Sequence, residues 1–400
     1  MNPSLRTSLP IIMVASVGSL GLMLTTLLVG GWAAVHGYSE SQLANLASIE
    51  LVGFAAGSVL TALLLHRVSW HLMLWAGCLL LIAFNALSMG EADYVRLAAY
   101  RFTVEVGGGL LMATGYAAIG DSNNPDRLFA QTLVLVMIFS ILAFVILPEL
   151  VVTHGPEAVY IAQGVAVVVA VLFVPFFPDR GWRKNPAAAG ADSSLPLPAN
   201  PAMLTLALLS VGVFYMGEAV LFALAERIAA YIGIGIEETG NYLAIAMVFS
   251  TAGAFVAALV SIRWGRALPL LTGLLSFMVG FGFLALFTET GFMISIFLTQ
   301  FCFSFALVYV LLLAVEFDVR GRFAAFIPAV QAAGYATGPA VLALFLNGTG
   351  YMAVVWIGCA CMLACLLIGV PQALMLDRLD SAASHPSRKP IDPIKVTAQP

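Results

Sequence analysis

The sequence predicts an all-α membrane protein in which twelve transmembrane helices form two pseudo-symmetric bundles of six. Three observations predict this fold: an apolar composition, a series of long uncharged runs, and an internal repeat. Of the 400 residues, 61% are hydrophobic and only 10% are charged, and the mean hydropathy is +1.00. A soluble domain has roughly half apolar and a quarter charged residues. The composition therefore indicates an integral, multi-pass membrane protein with the lipid bilayer as its first partner.

The predicted spans follow from the length of the apolar runs. A membrane-spanning helix needs about 20 consecutive, mostly apolar residues. The first run is too long for a signal peptide and more spans follow it, so we interpret it as an uncleaved first helix. Polar and turn-forming residues delimit spans at 10–34, 42–65, 70–89, 94–120, 128–151, 157–177, 201–231, 239–262, 267–287, 291–316, 323–346 and 350–376.

A polar segment rich in proline, alanine and serine separates the sixth span from the seventh. Such a composition is typical of a flexible linker. The end of the chain is rich in proline and scattered charges, which predicts disorder. The predicted organisation is an N-terminal bundle over 1–177, a cytoplasmic linker over 178–200, a C-terminal bundle over 201–376 and a disordered cytoplasmic tail over 377–400.

Lysine and arginine predict the orientation, because they accumulate in cytoplasmic loops. All but three of the 17 basic residues lie in the even-numbered loops and the two tails. The odd-numbered loops hold acidic residues instead: Glu40, Glu91, Asp93, Glu149, Glu157, Glu237, Glu238 and Glu289. Both termini are therefore predicted to be cytoplasmic, and we expect the membrane to be a bacterial plasma membrane.

The two halves of the chain repeat each other. The stretch AGSVLTALLLHR at 56–67 aligns with AGAFVAALVSIR at 252–263, and each ends the second helix of a six-helix half. Further along, Asp121 and Arg127 match Glu316 and Arg322 at nearly the same spacing. Two parallel repeats are typical of secondary transporters, whose substrate site lies at mid-membrane between the halves.

The helix count, the central loop and the repeats resemble the major facilitator superfamily over essentially the whole chain. The loop motif of that family after the second helix, Gly-x-x-x-Asp-Arg-x-Gly-Arg-Arg, is matched mainly by Arg67 in the first half. The second half matches it better, through Arg263, Gly265 and Arg266. The resemblance implies alternating access around a cavity lined by the first, fourth, seventh and tenth helices.

The fourth span carries the family motif Arg-x-x-x-Gly-x-Gly-x-Gly or Ala at Arg101, Gly107 and Gly109, with Glu105 in place of the first glycine. Arg101 and Glu105 share one helix face, and a membrane-centred charge costs about 3 kcal/mol on insertion scales. One interpretation is a mutual ion pair that fixes the fourth helix to the first. In the other, Glu105 carries a proton and Arg101 alternately holds it or a substrate anion. The resemblance supports the second, because the family's fourth-helix arginine is linked to proton coupling.

Glu218 in the seventh span is a second proton-coupling or substrate candidate, which the resemblance places opposite Glu105. For each polar residue predicted below to line the cavity, an interhelical hydrogen bond is an equally good interpretation of its presence in a span. Glu50 is left open as a gate element, a proton site or a snorkelling anion. Glu226 and Arg227 are interpreted as an interfacial pair or outer gate. The residues predicted to line the substrate cavity are Thr25, Thr26, Arg101, Tyr215, Gln300, Gln331 and Tyr335.

Charged residues recur at the cytoplasmic ends of the second and fourth helices of each half. We predict that they pair across these ends, Arg67 with Asp121 and Arg263 with Glu316, and close an inner gate in the outward-facing state. Exposed ion pairs are worth about 0–1 kcal/mol each, which suits a gate that must break in every cycle. The predicted gate residues are Arg67, Asp121, Arg263, Arg266, Glu316 and Arg322.

These patterns predict a monomeric, proton-coupled secondary transporter of a small organic solute. The Gly-Pro motif of exporters is missing from the fifth span, which favours symport, and a buried arginine favours an organic anion. The alternatives are a proton-driven exporter of amphipathic compounds and, from another class, a non-transporting receptor or scaffold. No phosphate-binding loop or nucleophile–base pair indicates an enzyme or a cofactor. No basic cluster indicates nucleic acid, and the five cysteines lie in apolar runs, which argues against a metal site.

Overall fold

The computed structural model describes residues 3–65, 67–122, 125–178, 201–317 and 327–384, and most of them are helical. Twelve helical stretches within these residues are long and apolar enough to cross a membrane, which confirms the predicted number. The first half contains α1 Pro3–Gly18, α2 Leu20–His36, α3 Glu40–Leu64, α4 Trp70–Ser88, α5 Tyr94–Gly120, α6 Pro125–His154, α7 Glu157–Phe173 and a 3₁₀ turn at Val174–Phe176. The second half contains α8 Pro201–Phe222, α9 Ala225–Ile232, α10 Ile236–Val260, α11 Ala267–Leu284, α12 Glu289–Phe317, α13 Ile327–Thr349 and α14 Met352–Ser384.

Two of the twelve spans are interrupted. The first consists of α1 and α2, which are separated at Ser19, and the hydroxyl of Ser19 donates to the carbonyl of Ser16 at 2.9 Å. The seventh consists of α8 and α9, which are separated by Ala223 and Leu224. Interrupted helices are tolerated inside a bilayer where protein covers the freed backbone groups, and Ser19 and Leu224 are both buried.

The helix ends near the membrane surface have side-chain or glycine caps. Ser39 and Gln42 form a capping box at the start of α3, and Asp93 accepts from the backbone of Arg96 at the start of α5. Gly37 ends α2 in the left-handed conformation, at φ 64°. These caps pair backbone groups that a helix leaves free at its termini, so the polar residues that divided the sequence into spans also begin and end the helices.

The internal repeat is also present in the packing. Helices α3 and α10 each have 25 residues and occupy equivalent positions in the two halves. A Cβ atom on Gly57 of α3 would lie 2.2 Å from the carbonyl oxygen of Val106, and one on Gly253 of α10 would lie 2.1 Å from that of Phe301. The aligned glycines therefore allow the same close approach of the second helix to the fourth in each half.

The two halves meet along two equivalent pairs of helices, α3 with α13 and α6 with α10. We call the end of the bundle that holds Glu40 and Glu149 the outer end, and the end that holds Arg67 and Arg263 the inner end, after the predicted orientation. Helix α14 continues to Ser384, beyond the predicted end of the second bundle at residue 376. Residues 179–200 of the predicted linker, residues 385–400 of the tail and the predicted gate residue Arg322 lie outside the described residues.

Candidate functional site

Arg101 of α5 is completely buried, and its guanidinium is bound by side chains from three other helices. Its Nε donates to Oε1 of Glu50 on α3 at 2.6 Å, and Nη2 lies 2.5 Å from the same oxygen. Nη1 donates to Oδ1 of Asn85 on α4 at 2.7 Å, and Nη2 donates to Oε1 of Gln163 on α7 at 3.3 Å. A charge pair buried this deeply needs further hydrogen bonds to offset its desolvation, and the two amides supply them.

An aromatic ring covers the remaining face of the guanidinium. The ring of Tyr160 on α7 lies 4.8 Å from Cζ of Arg101, within the range of a cation–π interaction. The hydroxyl of Tyr160 accepts a 2.6 Å hydrogen bond from Nε1 of Trp32 on α2. We call Glu50, Asn85, Arg101, Tyr160 and Gln163 the arginine cluster. It joins α3, α4, α5 and α7, so the guanidinium of Arg101 connects four helices of the first half.

Glu105 does not pair with Arg101, although the two are one helical turn apart. Its side chain is 2% exposed, and neither carboxylate oxygen has a hydrogen-bond partner among the described residues. It points toward α2, where a Cβ on Gly21 would lie 2.0 Å from Oε1 of Glu105. The mutual ion pair that the sequence left open is therefore not formed, because Arg101 reaches toward α3, α4 and α7 whereas Glu105 faces the first span.

Small residues create the space that Glu105 occupies. Gly18 at the end of α1, Gly21 on α2 and Gly108 on α5 line a cavity of about 10 Å³ beside the carboxylate, together with Gln163. That volume is at the lower limit for one water molecule. Larger side chains at these glycines would fill the cavity or displace the carboxylate, so the site depends on the close contact of the first and fourth spans.

Glu218 of α8 is the buried carboxylate of the second half. It is 2% exposed, and Nε2 of Gln300 on α12 donates to its Oε1. Its Oε2 has no hydrogen-bond partner among the described residues. The structure thus brings together the predicted proton-coupling residue Glu218 and the predicted cavity residue Gln300, and leaves one carboxylate oxygen available.

Aromatic rings surround Tyr215, one turn before Glu218 on α8. The ring of Phe303 on α12 lies 5.4 Å from that of Tyr215, and the ring of Tyr335 on α13 lies 6.2 Å from it. Phe214 stacks on Phe303 at 5.4 Å. The amide of Gln331 on α13 donates to the hydroxyl of Tyr215 at 2.9 Å. We call Phe214, Tyr215, Phe303 and Tyr335 the aromatic cluster, and three of the predicted cavity residues are therefore in contact.

The aromatic cluster lies beside the interface between the two halves. Ala332 of α13 packs against Phe54 of α3 and Met112 of α5, with Tyr116 of α5 beside them. The second and fourth spans of the first half and the eleventh span of the second half therefore face one another at this point.

Thr25 and Thr26 of α2, predicted to line the cavity, are both buried. The hydroxyl of Thr25 donates to the carbonyl of Gly21 in its own helix at 2.9 Å. The hydroxyl of Thr26 accepts from the backbone N–H of Glu226 on α9 at 3.2 Å. Thr26 therefore joins the two halves by an interhelical hydrogen bond, which was the second interpretation of these polar residues.

The halves are tied together by polar contacts at the outer end. Nη2 and Nε of Arg227 on α9 donate to Glu40 of α3 at 2.5 and 3.2 Å, and the hydroxyl of Tyr351 donates to the same carboxylate. Burial raises the pKa of Tyr351, and Glu40 raises it further, so the phenol stays a donor. Ser41 and Ser48 of α3 donate to backbone carbonyls of α13 at 3.2 and 2.6 Å. The outer end of the protein is closed in this structure.

At the inner end, Glu316 of α12 pairs with Arg266 rather than with Arg263. Nη2 of Arg266 lies 2.7 Å from Glu316, and Nη1 lies 3.3 Å from Asp377 and 2.5 Å from Asp380 on α14. Burial lowers the pKa of Arg266, but the surrounding carboxylates raise it overall, so the guanidinium remains charged. This ion-pair group lies entirely within the second half.

The equivalent residues of the first half are not joined in this way. Arg67 is exposed, and no ion pair between Arg67 and Asp121 is present in the part of the chain that the structure describes. The predicted pairs of Arg67 with Asp121 and of Arg263 with Glu316 are thus not formed in a structure that is closed at the outer end. The gate hypothesis concerns the opposite state, and it stays a prediction.

Sequence reasoning missed most partners of the charged groups. Asn85 and Gln163 are two of the few amides within the predicted spans, and that rarity was the available signal. Glu40 was counted as an outer-loop acid, and Glu50 was placed in the outer half of the second span without a choice of role. In each case the partner lies on a different helix, and its position depends on the rotation of that helix about its axis.

The fold is similar to those of solved solute transporters. A D-xylose–proton symporter superposes with a TM-score of 0.70 at 15% identity, over 92% of this chain and 96% of that chain. The inward-open xylose transporter XylE from E. coli gives 0.68 at 14% identity, over 92% and 98%. The nucleoside transporter NupG gives 0.67 at 14% identity, over 93% and 99%. No protein-family model and no curated protein sequence matches the chain.

Proposed function

We propose that this chain, which has the twelve-helix fold of major facilitator transporters, is a secondary active transporter that couples the movement of a small organic solute to protons by alternating access. The solved structures with this fold include a proton symporter and a nucleoside transporter, which supports secondary transport. The proposed membrane is a bacterial plasma membrane with both termini in the cytoplasm. The observation that carries proton coupling is Glu105, a buried carboxylate whose two oxygens have no hydrogen-bond partner among the described residues.

The charge balance of the first half argues for a proton on Glu105. Arg101 and Glu50 neutralise each other inside the arginine cluster. A second anion at Glu105 would therefore be uncompensated, at a cost of about 3 kcal/mol or more near mid-membrane. A proton on Glu105 removes this cost while the site is enclosed. When the halves move and water reaches the carboxylate, hydration stabilises the anionic form and the proton can leave.

The arginine cluster has a positioning role in this proposal. Because three helices hold the guanidinium of Arg101, the rotation of α5 about its axis is fixed. That rotation aims Glu105, one turn further along, at Gly21 of the first span. Arg101 thus contributes to coupling by orienting Glu105, and its complete burial keeps the guanidinium away from a solute in this structure.

Two directions of transport follow from different observations. The missing Gly-Pro motif of the fifth span favours symport. Proton-driven export, the second candidate, is favoured by Glu218, whose free oxygen lies near the aromatic cluster, because a proton and a solute can compete for that carboxylate. An organic-anion solute requires a free cation near the cavity, and Arg101 does not provide one.

Proteoliposomes with an imposed pH gradient test the proposal. A panel of sugars, nucleosides, organic cations and carboxylates is screened for solutes that move protons, read by a trapped pH-sensitive dye. For a solute that does so, Glu105→Gln should abolish gradient-driven accumulation but retain solute exchange at equal concentrations. The matched control is Glu149→Gln, which changes an exposed acid at the outer end. If Glu105→Gln retains both proton-driven flux and exchange, Glu105 is not the coupling site.

A further inference from the structure

The basic side chains inside the bundle restrict the charge of the solute, given the transport function proposed above. Three arginines of the described spans lie away from the inner end, and all three form ion pairs: Arg96 at the exposed outer surface, Arg101 in the interior and Arg227 in a partly exposed pair. Arg101 is enclosed by Glu50, Asn85 and Gln163, and Arg227 is held by Glu40. Within the described residues, no basic side chain near mid-membrane is left to meet an anion.

Glu218, by contrast, is an acidic side chain whose charge is not paired with a basic residue among the described residues. Oε2 of Glu218 is buried and has no hydrogen-bond partner among the described residues, while Oε1 is held by Gln300. Tyr215 lies three residues before Glu218 on α8, on the same side of the helix. A positively charged group placed there would meet a carboxylate that the protein leaves half-satisfied.

The aromatic cluster supplies a second attraction for positive charge. The faces of aromatic rings attract cations within about 6 Å of the ring centre. Tyr215 lies one turn before Glu218 on α8, and the rings of Phe303 on α12 and Tyr335 on α13 lie 5.4 and 6.2 Å from its ring. The same rings provide an apolar surface on which a flat or cyclic solute can stack.

The burial of this surface is uneven. Tyr215, Phe303 and Gln331 are only partly buried, whereas Phe214, Glu218 and Tyr335 are buried. Helix α13, which carries Gln331 and Tyr335, packs against α3 of the first half. The alternating-access cycle would therefore change the exposure of this region.

We propose that Glu218 and the aromatic cluster form the binding site for a ring-bearing organic cation, such as a substituted ammonium or a cationic nitrogen heterocycle. The carboxylate of Glu218 neutralises the charge, the rings of Tyr215, Phe303 and Tyr335 cover the apolar body, and Gln331 holds the hydroxyl of Tyr215 in place. This inference rests on the proposed transport function and defines its substrate class.

Equilibrium binding to the full chain in lipid nanodiscs tests the site, with empty nanodiscs as the blank. Three bicyclic probes of similar size differ in charge: N-methylquinolinium is a cation, naphthylmethanol is neutral and naphthoate is an anion. We expect N-methylquinolinium to bind at least about tenfold more tightly than naphthylmethanol, because the charge adds carboxylate and cation–π attraction. Naphthoate should show no saturable binding.

Variants then locate the site. Glu218→Gln should weaken N-methylquinolinium binding about tenfold or more and leave naphthylmethanol unchanged, whereas Glu218→Asp, which keeps the charge, should bind the cation. Phe303→Leu should weaken the binding of both N-methylquinolinium and naphthylmethanol, and Glu149→Gln should change the binding of neither. Equal thermal melting of the variants in nanodiscs shows that they are folded.

Tighter binding of naphthoate than of N-methylquinolinium, no saturable binding of the cation, or an unchanged cation affinity in Glu218→Gln would each overturn the inference. The assay needs no ion gradient. A loss of proton-driven flux with intact cation binding would therefore refute the transport proposal alone, and retained flux of another solute without cation binding would refute the substrate class alone.

Discussion

Arg101 on α5 forms its ion pair with Glu50 on α3, not with Glu105 on its own helix. This pairing gives the two buried carboxylates of the first half different environments. Glu50 is bound to a cation in this structure, and Glu105 is enclosed by glycines without a donor among the described residues. Two acids separated in this way can serve different purposes, one in holding helices together and the other in carrying a proton.

Breaking the buried pair should destabilise the first half. Glu50→Gln leaves Arg101 buried with its charge uncompensated, and the loss of one partner of a buried pair costs about 3–5 kcal/mol. We expect a clear drop in the midpoint of reversible unfolding in mixed detergent micelles. Asn85→Ala, which removes only one hydrogen bond to the guanidinium, should cost about 1.5–3 kcal/mol.

A double-mutant cycle provides the check on that prediction. Glu50→Met combined with Arg101→Met removes both charges, and apolar replacement of a buried pair is often nearly neutral. The double variant should therefore be more stable than Glu50→Gln. With the single variants Glu50→Met and Arg101→Met the cycle is complete, and additive losses in it would mean that Glu50 and Arg101 contribute independently.

Gly21 should be essential for the space that Glu105 occupies. In Gly21→Ala, the added methyl group would lie 2.0 Å from Oε1 of Glu105, so the carboxylate or α2 must move. Overpacking of this kind costs about 1–3 kcal/mol, and we expect proton-coupled flux in proteoliposomes to fall strongly. Gly164→Ala on α7 is the matched control, because no atom lies within 4 Å of its added methyl group. Equal flux in the two variants would contradict the prediction.

The ion pair of Glu40 and Arg227 should favour the state that is closed at the outer end. Glu40→Gln should raise the fraction of outward-open molecules by up to about fivefold, since a partly exposed pair is worth about 1 kcal/mol at most. Spin labels on Val152 and Leu344, which are exposed at the outer ends of α6 and α13, report the distance. The exchange of charges in Glu40→Arg with Arg227→Glu should restore part of the closed population.

The proposed inner gate has an independent test. Neutralisation of Arg67 and Arg263 together, by Arg67→Gln and Arg263→Gln, should shift the ratio of inward-facing to outward-facing molecules toward the inward-facing state. Labels on Leu72 and Leu268, which are exposed at the inner ends of α4 and α11, measure this opening. An unchanged distance distribution would reject the gate hypothesis for both residues.

The spans were predictable because their requirements are local. A bilayer demands about 20 apolar residues and paired backbone groups, so Ser39, Ser69 and Asp93 could be recognised as polar boundaries before they were seen to cap helices. The repeat was predictable because small residues such as Gly57 and Gly253 are needed wherever two helices approach closely.

The partners within the site were not predictable in the same way. Arg101 and Glu105 share a face of α5 in an ideal helix, yet their side chains extend toward different neighbours. The length and flexibility of arginine let it reach α3, α4 and α7, whereas the shorter Glu105 stays against Gly21. Which residue of α3 meets Arg101 depends on the tilt and rotation of both helices, and a single sequence contains no direct measure of either.

The interruption of the seventh span has a mechanical consequence. Helix α9 has only eight residues, and the turn at Ala223 and Leu224 separates it from α8, which carries Glu218. Two polar contacts join α9 to the first half, through the backbone of Glu226 and the side chain of Arg227. A local swing of this short segment would break both of them. The outer entrance and the site around Glu218 then need not move as one rigid body. In the proposed transport cycle, opening of the entrance and reorientation of the bundles become separable steps, each with its own barrier.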